Sequence, residues 1–208
     1  MSAAVPVQTG VDQTEIPDIL RGTIKLGIFE SVAILVIGLV SKLLDGPVEV
    51  ILLSILVTAA VLVVTIVPGI WTRASTIEGI AGAAGIGLAA TWVFLLVDVS
   101  FFQPFGLYSN RWLQIGGGSN WWYHPVFWMV GCFLPWLGAW QLAAHRSSGQ
   151  PSPVKAAVTS LVFTALCGVA AILLHVPHAG WNLGTFGVAF LPGLALATLV
   201  TVLGARRK

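Results

Sequence analysis

Four side chains able to bind a metal ion or exchange a proton fall at one end of the predicted helices. Asp98 ends the third long apolar segment, His124 precedes the fourth, His175 ends the fifth, and His178 follows three residues later. Imidazole and carboxylate are ligands that suit copper, zinc and iron. The positions at one membrane level therefore predict a transition-metal site formed by Asp98, His124 and His175.

The same region also fits an organic cofactor. Trp122 lies two residues before His124, and Trp181 lies three residues after His178. Two histidines from different helices can ligate the iron of haem b. A histidine that titrates near neutral pH, beside a stacking tryptophan, also suits a quinone or a proton-linked site. These alternatives predict a cofactor site of His124, His175, His178, Trp122 and Trp181. In the remaining interpretation, the histidines only form hydrogen bonds within an aromatic cap.

The composition indicates the membrane environment that must hold these residues. The chain is 57% hydrophobic and 9% charged, whereas soluble domains carry about 25% charged residues. Such a chain cannot cover itself with a water-facing surface, so lipid is its expected surrounding. It has no basic patch with interleaved aromatic residues, which excludes nucleic acid as an expected partner. Two cysteines within apolar runs form neither a disulfide framework nor a zinc pattern.

The apolar runs predict an all-α integral membrane protein, a bundle of six transmembrane helices. About 20 mainly apolar residues are needed to cross a hydrocarbon layer about 30 Å thick. A cytoplasmic tail over residues 1–22 precedes the six-helix domain of residues 23–205, and residues 206–208 form a basic C-terminus. The predicted spans are residues 26–44, 48–67, 79–98, 125–143, 156–175 and 185–204.

The distribution of Lys and Arg predicts the orientation of the bundle. Of ten such residues, eight fall on the side of the termini, and only Lys42 and Arg111 fall on the other. Positive residues favour the cytoplasmic side. Both termini are therefore expected in the cytoplasm, with a bacterial inner membrane as the expected location. The long loop of residues 99–124, rich in aromatic rings, is expected on the outer face.

Two further features bear on packing and ion coupling. Ala81, Gly85 and Ala89 repeat small residues every four positions, which predicts close contact with another helix. Glu30 and Lys42 lie within the first predicted span, less than two turns from its ends, where their side chains can reach the interface. No ionisable residue is then expected at the centre of the bilayer, and this disfavours a proton pump or ion-coupled carrier.

Taken together, these features favour a non-catalytic subunit of a larger membrane assembly, with a redox, respiratory or photosynthetic complex as examples. Other membrane protein chains are then the expected partners. The alternative is a stand-alone transporter or small membrane enzyme that uses the outer-face Asp, His and Trp residues. Neither a Gly-x-Ser-x-Gly nor a His-Glu-x-x-His motif occurs in the chain, and enzymatic activity stays open.

Overall fold

The part of the chain that the structure describes is helical throughout its regular elements. The computed structural model describes residues 12–108, 123–147 and 152–205, with backbone only at 123–126 and 129. A five-residue π-helical turn, Asp98–Phe102, continues the third helix. The helices are α1 Ile16–Leu43, α2 Gly46–Trp71, α3 Ile77–Val97, α4 Tyr123–Ser147, α5 Pro153–Leu173 and α6 Leu183–Ala205.

The predicted helical membrane bundle is confirmed in its class. Five of the six helices in the described ranges are long and apolar enough to cross a membrane: α1, α2, α3 with its π-helical turn, α5 and α6. The remaining helix, α4, has 25 residues and is therefore about 38 Å long, more than the hydrocarbon thickness. It packs against α2, α3 and α6, so we infer that it crosses the membrane with them.

Proline and serine residues set several helix starts. Pro17, Pro47 and Pro153 occupy the first turns of α1, α2 and α5, where the missing N–H has no intrahelical partner to lose. The Ser152 hydroxyl accepts a hydrogen bond from the backbone N–H of Lys155 at 3.2 Å and caps α5. These local signals begin the helices at positions that the hydropathy pattern alone does not mark.

The helices form a core and an attached pair. Helix α3 lies along both α1 and α4, and α4 also packs on α2 and α6. Helix α5 packs mainly on α6 and touches the rest of the bundle much less. The central position of α4 brings its backbone close to both neighbours. Gly138 faces the Thr65 carbonyl of α2, and Gly131 faces Thr91 and Gly87 of α3.

The first helix starts earlier than the hydropathy pattern indicates. It begins at Ile16, ten residues before the predicted boundary at residue 26 and inside the predicted tail. A helix can extend past the hydrocarbon layer, and Arg21 and Lys25 lie on the exposed surface of this extension. Hydropathy reports only the apolar part of a helix, whereas Pro17 marks its start.

Among the described residues, the stripe of Ala81, Gly85 and Ala89 makes no close helix contact at Gly85, so its contact with a helix of another chain stays a prediction. Ala81 and Gly85 are exposed, and a Cβ added at Gly85 would have nothing within 4 Å. The close contact uses a different face, on which Gly87 meets Gly131 of α4. Small residues follow each other so densely in this helix that four-residue spacings occur on two faces, and spacing alone cannot choose between them.

Asp12 joins the N-terminal segment to the start of α3. Its carboxylate accepts hydrogen bonds from the backbone N–H groups of Ser75, Thr76 and Gly79, each at 3.0 Å, and from the Ser75 and Thr76 hydroxyls. Beside it, the Gln13 N–H donates to the Thr72 carbonyl at 2.8 Å. Partial burial acts to raise the pKa of Asp12, but these hydrogen bonds outweigh it and hold the pKa below 3.8.

We expect Asp12→Ala to lower the free energy of unfolding by about 1–2 kcal/mol, as the loss of a helix cap does. Because the folded-state pKa is lowered, this contribution is present at neutral pH and is lost as the pH falls below 3.8. Unfolding in mixed micelles with added SDS, followed by circular dichroism, measures it. Wild type and variant should converge in acid.

Glu15→Ala is the matched control for Asp12. Glu15 is exposed and precedes α1 without a side-chain capping bond, so its loss should change the stability by less than about 0.5 kcal/mol. Equal effects of the two substitutions would contradict the capping role of Asp12.

Candidate functional site

Asp98 lies at the first position of the π-helical turn and is completely buried. Its carboxyl oxygens accept hydrogen bonds from Gln103 Nε2 at 2.7 Å and from the Tyr108 hydroxyl. The wider turn causes this arrangement, since it places Gln103 N–H on the Asp98 carbonyl at 3.0 Å. Asp98 therefore holds the start of the loop that follows α3 onto the end of that helix.

His175 ends α5 as a helix cap. Its φ is 53°, in the left-handed region. The Val176 N–H donates to the Ala171 carbonyl at 3.0 Å, and the His175 N–H donates to the Ile172 carbonyl at 3.1 Å. This pair of bonds defines a Schellman motif with His175 at the position that favours glycine. The side chain of His175 is exposed.

His178 and Trp181 lie in the exposed connection between α5 and α6. His178 also has a left-handed backbone, with a φ of 63°, and its side chain is exposed. Trp181 is exposed, and its ring lies beside that of Phe186 with centroids 6.1 Å apart and the ring planes tilted by 34°. The connection is therefore shaped by turn geometry, and its two histidines take backbone conformations that non-glycine residues seldom adopt.

The described members of the predicted site lie on helices that pack mainly on different neighbours. Asp98 belongs to the α3–α4 side of the bundle, whereas His175 ends α5, which packs mainly on α6. Within the described ranges, no three His, Cys, Asp or Glu residues are grouped so as to hold a metal ion. Trp122 and the side chain of His124 lie outside what the structure describes. The metal site of Asp98, His124 and His175 and the five-residue cofactor site stay predictions.

Replacement of His175 by glycine separates a cap from a ligand. We expect His175→Gly to keep or raise the stability, by up to about 1 kcal/mol, because glycine adopts the left-handed conformation without a steric penalty. Thermal unfolding in detergent measures this. Val176→Gly, one residue on and without a positive φ, should lower the stability by about 0.5–1 kcal/mol. A large loss with His175→Gly would mean that the imidazole makes a needed contact.

A second site, not predicted from the sequence, surrounds Glu30. The residue lies 14 positions after the start of α1 and 13 before its end. It contacts the same cleft as Val57 and Val61, which lie near the middle of α2. The sequence placed Glu30 within two turns of the end of a membrane span that begins at residue 26, whereas the structure places it near the middle of the longer helix α1.

The Glu30 cleft is a half-open space of about 290 Å³ between α1, α2, α3 and α4. Its walls are almost entirely apolar, with rings supplied by Phe29, Phe94 and Phe127. Phe94 and Phe127 stack with centroids 5.2 Å apart. Its size approaches the lower end of the range found for small-molecule sites.

Among the described residues that line the cleft, Glu30 is the only one with an ionisable side chain. Its Oε2 atom is buried and has no hydrogen-bond partner among the described residues. The other polar side chain of the lining, Thr91, donates its hydroxyl to the Gly87 carbonyl of its own helix at 3.0 Å. A carboxyl group thus offers unused hydrogen-bonding capacity inside an apolar enclosure.

A signal for this site is present in the sequence. Pro17 follows "TEI" and marks a helix start. Counting from that proline places Glu30 near the middle of a helix that has 28 residues in the structure. The hydropathy pattern hides this because Arg21 and Lys25 interrupt the apolar run.

Comparison with known proteins supplies no relative. No family model matches the chain, and no similar curated protein or solved structure is found.

Proposed function

We propose that the protein is a non-catalytic subunit of a larger membrane assembly and that an aromatic surface of α4 contacts a neighbouring chain. A redox, respiratory or photosynthetic complex is the class of assembly that this proposal favours. The supporting observation is a row of exposed rings, Phe133, Trp136 and Trp140, on one side of α4. Neighbouring centroids in this row are 5.9 Å and 5.7 Å apart.

The depth of this aromatic surface distinguishes it from ordinary lipid-facing residues. Tryptophan favours the two membrane interfaces, but Trp136 lies 13 residues from one end of α4 and 11 from the other. A row of rings that continues from there to Trp140 offers a broad aromatic contact area within the bilayer. Such area suits a helix or a planar ring system held by another chain.

The neighbouring face of α3 adds room for close approach. Trp92 of α3 stacks on Trp128 of α4, with centroids 5.0 Å apart, so the exposed sides of the two helices are continuous there. Ala81 and Gly85 lie on the exposed side of α3. A Cβ added at Gly85 would have no atom of this chain's described residues within 4 Å. Exposed small residues let a further helix come near in lipid, where packing drives association.

Purification from the native membrane in mild detergent tests the proposal. We expect the tagged protein to elute with other chains in fixed proportion, and the double substitution Trp136→Ala and Trp140→Ala to reduce their recovery at least tenfold. Val162→Ala and Leu166→Ala, on the exposed face of α5, form the matched control and should retain them. Elution of the wild type alone, or partners kept by the double variant, would refute the proposal.

Two finer features accompany this proposal. The first is the orientation in a bacterial plasma membrane with both termini on the cytoplasmic side, which rests on the distribution of Lys and Arg residues.

The second is a metal or haem b site at the outer face that includes His124 and binds its cofactor within the assembly. An absorption spectrum and metal analysis of the purified protein test it: a signal lost in both His124→Ala and His175→Ala supports a shared site.

A further inference from the structure

We propose that the Glu30 cleft binds a small organic cation, an ammonium group carried on an apolar or aromatic body. This binding site goes beyond the proposed role as a subunit and does not depend on it. The inference rests on three observations taken together: a carboxyl group near the middle of the bundle, its unpartnered Oε2, and an enclosing wall of apolar side chains.

The positive charge of the proposed ligand is inferred from the lack of a cationic side chain beside Glu30 among the described lining residues. No Lys, Arg or His lines it among the described residues. Along α1, Lys25 lies five residues before Glu30, and its side chain is exposed. Lys42, twelve residues after Glu30, donates its ammonium to the Gly106 carbonyl at 2.8 Å and lies about 18 Å away by helix rise. A carboxylate in an apolar setting is costly without an opposite charge. A ligand cation supplies that charge.

The apolar body of the proposed ligand is inferred from the side chains that line the cleft. Phe29, Phe94 and Phe127 present aromatic rings, and a ring face attracts a quaternary or protonated amine within about 6 Å. The aliphatic walls match hydrocarbon. An alkyl or aryl ammonium compound therefore satisfies the carboxyl group and the rings at once.

Two other cationic occupants fit less well. A metal ion such as Ca²⁺ requires six to eight oxygen ligands, whereas the described lining offers one carboxyl group and a hydroxyl already donated to its own helix. A zwitterionic phospholipid headgroup carries a phosphate beside its ammonium, and the described lining has no donor for that phosphate.

Calorimetric titration of the purified protein with benzyltrimethylammonium tests the proposal. We expect saturable binding by the wild type and at least tenfold weaker binding by Glu30→Gln, which keeps the shape of the side chain and removes its charge. Glu78→Gln, an exposed carboxyl group at the start of α3, is the matched control and should bind as the wild type does. Neopentylbenzene, the isosteric neutral carbon compound, should compete at least tenfold less well.

A second variant guards against a result caused by misfolding. Ala33→Phe fills the cleft from α1 while it keeps Glu30, and should also abolish binding. Circular dichroism and elution volume must match the wild type for each variant that is scored. The proposal is overturned if the wild type shows no saturable binding, if folded Glu30→Gln binds with unchanged affinity, or if the neutral compound competes equally.

Discussion

Gly138→Ala is expected to lower the free energy of unfolding by about 3 kcal/mol, at the upper end of the effect of overpacking. A Cβ at this position would lie 1.9 Å from the Thr65 carbonyl oxygen and 2.7 Å from its carbon. These are backbone atoms of α2, so no side-chain rotation relieves the clash, and α2 and α4 must separate. The shift of the unfolding midpoint in mixed micelles measures the loss.

Gly85→Ala provides the matched control for this prediction. It makes the same chemical change in a neighbouring helix, but its Cβ would meet nothing within 4 Å. Alanine also favours the helix over glycine by up to about 1 kcal/mol in water, so no loss of stability is expected. If Gly138→Ala unfolded at the same midpoint as Gly85→Ala, the close approach of α2 and α4 would be refuted.

Asp98→Ala is expected to lower the free energy of unfolding by roughly 3 kcal/mol. The substitution leaves Gln103 Nε2 and the Tyr108 hydroxyl without the acceptor they now share. Removal of one partner of a buried hydrogen bond costs about 1–3 kcal/mol, and Asp98 is completely buried. We expect a lower midpoint of thermal unfolding in detergent and faster proteolysis of the loop after α3.

Two further variants define the origin of that effect. Asp98→Asn keeps one acceptor oxygen and should lose about half as much stability. Ser100→Ala changes an exposed residue of the same π-helical turn and should alter the stability by less than about 0.5 kcal/mol. Equal losses in Asp98→Ala and Ser100→Ala would show that the turn, and not the carboxyl group, is sensitive to substitution.

The helices of this protein could largely be predicted from its sequence. The second, fifth and sixth predicted spans, 48–67, 156–175 and 185–204, each lie within or close to an observed helix. Long apolar runs bounded by proline or glycine admit few other structures in lipid, because every backbone polar group must find a partner inside the segment. Where charged residues interrupt the apolar run, as in α1, the helix begins earlier than the predicted span.

The packing and the Glu30 cleft could not be predicted in the same way. Which face of α3 meets α4 depends on the fit of Gly87 against Gly131, and a sequence dense in small residues offers several such faces. The cleft is formed by residues from four helices that are far apart in the chain. The left-handed backbone that makes His175 a helix cap was also not predicted, and the ligand role of the histidines stays a prediction.

The link between Asp12 and α3 has a consequence for biosynthesis. The donors that Asp12 binds lie 63 to 67 residues further along the chain. When Asp12 leaves the ribosome, none of these partners exists yet, and its carboxylate stays in water. The bond set can close only after the first two helices have been inserted and the first turn of the third has been made. Closure of this link therefore reports that the N-terminal half has reached its native order in the membrane.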